Sequence, residues 1–276
     1  MPYLRINVNK NKNVYYQMIT SILFFSLALI YCQGIVSLAQ KSIWYELSIS
    51  VLILIVSIPL FKKTENFSEI MRLIVLETYF NILCLITKLS PIEISIWSKT
   101  IDYCFCFFFF LQITGFITSQ IKKKAWFSIP ISLALSIAII LWRLNGSGVR
   151  ITNNNEIQFW GGNAPEFLQI IYLLWLLNIL FVEHRSLLPK LTVAIVHIAS
   201  FIIAYNSNEF FHARILTASH LFVINCVVIY KKQDWGGIHF SSIPHLENFK
   251  KKRLYYLTLT VSLNVLAILT LISYLV

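Results

Sequence analysis

Apolar residues run along this chain in nine stretches, near 18–40, 44–61, 69–88, 100–121, 126–143, 166–182, 189–205, 209–230 and 253–275, each set off by a polar break. Each run approaches the roughly 20 residues a helix needs to cross a bilayer's hydrocarbon core. In hydrocarbon there is no water to satisfy backbone N–H and C=O groups, so such a run is stable as a helix, whose bonds close within the segment. Sustained period-2 alternation is missing, which argues against a β-barrel. The pattern predicts an all-α polytopic transmembrane bundle of about nine spans. The longest polar segments, 144–165 and 231–252, are too short for a soluble domain, so residues 1–276 form a single integral membrane domain in this reading. The tail Met1–Gln17 is too long and polar for a signal-peptide n-region and no small-residue cleavage site follows, so the first span is expected to be retained.

Composition sharpens the choice of solvent. The chain is 57% hydrophobic and 13% charged, with a mean hydropathy of +0.70, whereas soluble domains are about a quarter charged. The formal charge of +11 is placed by topology. All but six of the 23 lysines and arginines fall on one face, the exceptions being Lys41, Lys88, Lys99, Arg143, Arg150 and Arg214. The positive-inside rule then puts the N-terminus in the cytoplasm and Val276 outside, in a plasma (inner) membrane. Anionic lipid, not nucleic acid, is the expected partner of the basic face. All five cysteines lie inside spans, so no disulfide framework is implied. Cys104 and Cys106 point roughly 200° apart on a helix and cannot face one metal; no metal site is expected, and no cofactor is identified.

Polar groups inside a membrane are costly, and each is a candidate for function. Every span entering from the outside carries a carboxylate near its start: Glu46, Asp102, Glu166 and Glu209. An acid there also complements the helix dipole and the unpaired N–H groups, so each has a plain structural reason as well. The densest polar run is Asn206 to Arg214, followed by His220. At about 100° per residue Glu209, His212 and His220 share one helix face, while Arg214 points away. That face serves either as a proton path or ligand set, or as interhelical hydrogen bonding. Glu77 and His197 reach similar depth, and Glu77 has Asn81 one turn away as a natural partner. If the third, seventh and eighth spans are neighbours, Glu77, His197 and His220 meet near the midplane as a proton relay.

Trp160-Gly161-Gly162-Asn163-Ala164-Pro165-Glu166 opens the sixth span. It reads as an interfacial Trp with Asn163 capping the helix and Pro165 in its first turn, or else as an anion-binding turn. Trp235-Gly236-Gly237 repeats the triplet in a segment, 231–253, that also carries His239, Phe240, His245 and Phe249. Six basic residues suit that segment to lie along the inner leaflet with its histidines at the surface.

Arg214-Ile-Leu-Thr-Ala-Ser-His220 resembles, in spacing alone, the third motif of the type-2 phosphatidic acid phosphatase family. The resemblance covers seven residues. Ala213 stands where Ser is usual and Ile224 where Asp should orient the His, and the family's other motifs do not precede it. Its phosphoryl-transfer chemistry therefore does not carry over. Glu209-x-x-His212 is half of a di-iron carboxylate pattern without its second half.

Three functions stay open at this point. The first is a membrane enzyme acting on a polyprenyl, isoprenoid or acyl-lipid substrate in an outward-facing polar pocket. There Glu209 or Asp102 serves as acid or base, His212 as partner, and Arg214 or Arg143 as anion clamp, with Glu46, Trp160, Asn163 and Glu166 lining the substrate site. The second is a proton- or ion-coupled secondary transporter using Glu77, His197 and His220. The third is a non-catalytic membrane subunit or immunity-type protein.

Overall fold

The computed structural model describes residues 10–58, 67–91, 93–146, 148–184, 188–231, 235–240 and 253–276. Nine helices occur among them: α1 (Lys10–Lys41), α2 (Ile43–Ser57), α3 (Phe67–Leu89), α4 (Ser95–Lys122), α5 (Ile129–Asn145), α6 (Glu166–Asn178), α7 (Leu191–Tyr205), α8 (Phe210–Lys231) and α9 (Arg253–Leu275). Each falls on one of the apolar runs. Seven apolar helical stretches are long enough to cross a membrane, and α2 and α7 are shorter. At 1.5 Å per residue these two, at 15 residues each, span roughly 22 Å. The structure is an all-α bundle with the character of a multi-pass membrane protein.

The arrangement is organised around α8, which packs against α7, α3, α2 and α1. Its apolar window is 78% buried, against 22% for α4, so α8 is central and α4 peripheral. The outer helices present Ile22, Ile30, Phe107, Phe110, Leu266 and Leu269 to the surroundings. Apolar cover of that extent suits lipid tails and would be an aggregation surface in water. On the far side α9 packs on α6 and α5, with Phe167 and Tyr274 rings stacked at 3.7 Å and Asn264 donating to the Phe127 carbonyl at 2.6 Å.

Segment 144–165, which reads as a polar loop, instead folds into a buried hairpin. β1 (Val149–Ile151) pairs antiparallel with β2 (Ile157–Phe159), matching Val149 with Phe159 and Arg150 with Gln158. Val149, Ile157 and Phe159 point into the bundle, where Phe159 meets Phe105 edge-on at 4.6 Å. Asn155 takes the left-handed conformation (φ 57°) that closes the turn, and its side chain donates to the Ala39 carbonyl at the end of α1. The hairpin thus seals one end of the bundle.

The other end is covered in part by Trp235–Phe240. Leu191 N–H donates to the Ile238 carbonyl at 2.9 Å, and Phe240 N–H to the Pro189 carbonyl at 2.9 Å. Lys190, fully buried, donates its ammonium to the Trp235 carbonyl. The Trp235 ring packs edge-on against Phe24 of α1. Within Trp235–Phe240 this differs from the expectation of a segment spread along the leaflet, because Trp235 and Phe240 find aromatic partners inside the protein. His239 is half-buried and not a free surface histidine. His245 and Phe249 lie outside the described residues.

Candidate functional site

At the hairpin end the expected acidic residues are present but sorted into separate pairs. Glu46 accepts from Lys88 and lies 3.5 Å from His212 Nε2; the Lys88 and Glu46 side chains are each 1% exposed. Asp102 accepts from Arg143 Nη2 at 2.7 Å and from the Trp160 indole N–H. Glu209 accepts from Gln158 Nε2 at 2.8 Å. Glu156 joins this end too, accepting from Gln40 at 3.0 Å and Asn208 at 3.2 Å. Glu166 is exposed in the first turn of α6. Glu46, Asp102, Glu166, Glu209 and His212 therefore share an end of the bundle without converging on one pocket. The hairpin supplies Trp160, Gln158 and Glu156, which fill the space an open pocket would need.

Asn163 also differs from expectation. Its Oδ1 accepts from the Phe210 N–H at 2.9 Å, capping α8, while α6 begins after Pro165 with no side-chain cap. The polar face of α8 is likewise divided. Glu209 turns to the hairpin, His212 to Glu46 on α2, and His220 Nδ1 to the Tyr31 hydroxyl of α1 at 2.7 Å. Three neighbours each take one group, as in interhelical hydrogen bonding.

The more open chemistry lies deeper. An open hollow, whose roughly 590 Å³ includes space continuous with the surroundings, sits among α3, α4, α6, α7 and α8, lined by Glu77, Gln112, Tyr172, His184, His197 and Arg214 amid apolar side chains including Phe116, Trp175 and Leu180. It extends from Arg214, near the hairpin end of α8, to His184 and Leu188 beside the docked Trp235–Phe240 segment. A second open hollow, of about 370 Å³ counted in the same inclusive way, shares Gln112, Phe116, Tyr172 and Trp175 with it and continues to Phe109, Ile139 and Phe211. A third, of about 220 Å³, reaches Glu77 from the α2 side.

Glu77 and His197 both line this one cavity. His220 does not join them, because α1 supplies Tyr31 and turns it away. Asn81 does not partner Glu77 either; its amide donates to Ser219 at 2.7 Å. His197 Nε2 is paired with Asn225 Nδ2 at 2.8 Å. Arg214 occupies a place its sequence position hides. It is the fifth residue of α8, 3% exposed, with Nε donating to the Tyr172 hydroxyl at 3.0 Å and Nη1 to Ser200 at 2.8 Å.

The cavity wall also carries a break in helical regularity. After Asn178 the α6 helix widens into a π turn, Ile179–Glu183, and Ile179 and Leu180 of that turn line the cavity. Such turns recur at functional sites. Asn178 and Gln120 both donate to Glu183, at 2.7 and 2.8 Å, which holds the turn open. Tyr172, Gln112, His184 and the π turn are the contributors that sequence reading missed, since an aromatic or amide in an apolar run gives no periodic signal. Among the described residues no three His, Cys, Asp or Glu side chains gather as a metal-ligand set. No protein-family model, curated protein or solved structure matches this chain.

Proposed function

We propose that the protein is a membrane enzyme acting on a lipid-like substrate, of polyprenyl, isoprenoid or acyl-lipid type, drawn into the cavity between α3, α4, α6, α7 and α8. The observation that carries this reading is a space walled by Phe116, Trp175, Leu176 and Leu180 that nonetheless presents Glu77 and His197. Apolar walls with a few polar groups describe a small-molecule site. Ionisable groups inside a membrane are costly enough to need a reason. In this reading Glu77 and His197 exchange protons with the substrate, and the pairs around Glu46 and Asp102 hold the closed hairpin end together. The protein sits in the plasma membrane with its N-terminus in the cytoplasm and its hairpin end outside.

The test is reconstitution into phosphatidylcholine liposomes containing isotopically labelled polyprenyl phosphate, fatty acid or diacyl lipid, with conversion followed by mass spectrometry. Conversion of one class is expected, reduced by about 10²–10⁴-fold in Glu77→Gln and His197→Ala. Conversion that both variants leave unchanged overturns the assignment.

One observation favours a second reading, a proton-coupled transporter. Glu77 lines both the main cavity and the smaller one between α2, α3 and α8, so one carboxyl faces two compartments. Alternating exposure of such a group is what coupled transport needs. Uptake driven by an imposed pH gradient, without chemical change of the solute, decides for transport and against the enzyme.

A further inference from the structure

The guanidinium of Arg214 is buried within a bundle whose surroundings are lipid, and its protein partners are all neutral. Nε donates to Tyr172, and Nη1 donates to Ser200 and, at 3.5 Å, reaches Thr217. The Tyr172 ring lies under the cation, with Cζ 5.6 Å from the centroid. Among the described residues no carboxylate oxygen comes within 4 Å of Arg214, and its Nη2 donors have no protein acceptor. Arg214 lines the main cavity.

A guanidinium keeps its charge under any physiological condition, so it cannot escape burial by losing a proton. A buried cation needs an anion or it is strongly disfavoured. Two other cations among the described residues have such a partner: buried Lys88 has Glu46, and Arg143 has Asp102. Arg214 has no such direct contact: Glu77, on the same cavity, acts on it at longer range, and three neutral side chains hold Nε and Nη1, leaving the Nη2 donors for a ligand. Charge-assisted N–H donors of this kind suit an oxygen of a carboxylate or phosphate.

We propose that Arg214 is the anion subsite of the cavity and takes the carboxylate or phosphate headgroup of an amphiphile. The tail of that amphiphile lies in the adjoining space between Phe109, Phe116, Leu135, Ile139, Trp175 and Phe211. This rests on the reading of the cavity as a lipid-like substrate site and names the headgroup class it selects. Glu77 faces the same cavity and disfavours a second negative charge, so a monoanionic head fits best.

The test measures equilibrium binding of radiolabelled dodecanoate, dodecyl phosphate, dodecanol and inorganic phosphate to the purified full chain in phosphatidylcholine nanodiscs. Both anionic amphiphiles are expected to bind more tightly than dodecanol. Their affinity falls about 10- to 100-fold in Arg214→Gln, partly recovers in Arg214→Lys, and rises in Glu77→Gln. Should Arg214→Gln fail to fold, Tyr172→Phe keeps the ring and loses the hydroxyl that orients Nε, and is expected to weaken the anions several-fold with dodecanol unchanged. Dodecanol binding as tightly as dodecanoate, with no effect of either variant, overturns the anion subsite and leaves the lipid-like cavity standing. Inorganic phosphate binding as tightly as dodecyl phosphate overturns the headgroup assignment in favour of a free anion. No binding by any amphiphile overturns the cavity reading and this inference together.

Discussion

Asp102 on α4 joins Arg143 on α5 through a 2.7 Å contact, and its second carboxylate oxygen accepts the indole N–H of Trp160 on the hairpin. One carboxylate therefore ties two helices to the cover of the bundle. Removing it affects the partners unequally. Arg143 is 28% exposed and can turn to water, whereas Trp160 is buried. Asp102→Ala is expected to cost about 1–3 kcal/mol, chiefly from the stranded indole N–H. Thermal unfolding in detergent checks this, and Arg143→Ala should cost less.

The Glu46–Lys88 pair behaves differently because neither side chain reaches water. Lys88→Met leaves a buried carboxylate facing only His212 and is expected to destabilise by about 3–5 kcal/mol. The double variant Glu46→Gln/Lys88→Met removes both charges and should recover most of that loss. Two melts and a double-mutant cycle decide it; additive losses would mean that the two residues act independently.

Gly146 is required by space. Any Cβ there would collide with the Trp160 carbonyl, a backbone atom that cannot swing aside. Gly146→Ala should cost about 1–3 kcal/mol by overpacking and should shift tryptophan fluorescence as Trp160 leaves Asp102. Gly162→Ala, where a Cβ meets nothing within 4 Å, is the control and should melt like the parent protein.

His239 lies in the docked segment outside the spans, and burial, aided by the Lys190 charge, lowers its pKa below the ordinary 6.5. A histidine whose folded pKa is depressed is neutral in both states above 6.5, where it has no effect on stability. As pH falls below that value the unfolded segment takes up a proton that the docked one resists, so docking weakens. Protection of Trp235–Phe240 against hydrogen exchange, relative to the intrinsic rate at each pH, should therefore fall between pH 7 and about pH 5. His239→Gln should flatten that dependence.

Much of the bundle was legible because a bilayer-length apolar run has one stable backbone solution, and all nine runs became helices. The hairpin was legible in principle: Val-Arg-Ile and Ile-Gln-Phe alternate around Thr-Asn-Asn-Asn-Glu. Two three-residue strands are too brief to stand out beside spans of twenty. The candidate site was legible only in its parts. Glu77 and His197 announced themselves as ionisable groups at depth, and the structure brings both to one cavity. Arg214 reads from the sequence as an anion clamp beside Glu209 and His212, but its direction away from their helix face does not say that it lines this cavity.

What the sequence alone determined was the solvent, the helical class and the cost of each polar residue, because these follow from local composition and hydrogen bonding within a segment. Only the tertiary structure decided which polar groups meet. Helical periodicity states the direction of a side chain around its own axis, but not which neighbour stands there. His220 reaches Tyr31 and not Glu77, Asn163 caps α8 and not α6, and Arg214 meets Tyr172 and Ser200, each because of how α1, α6, α7 and the hairpin pack around α8.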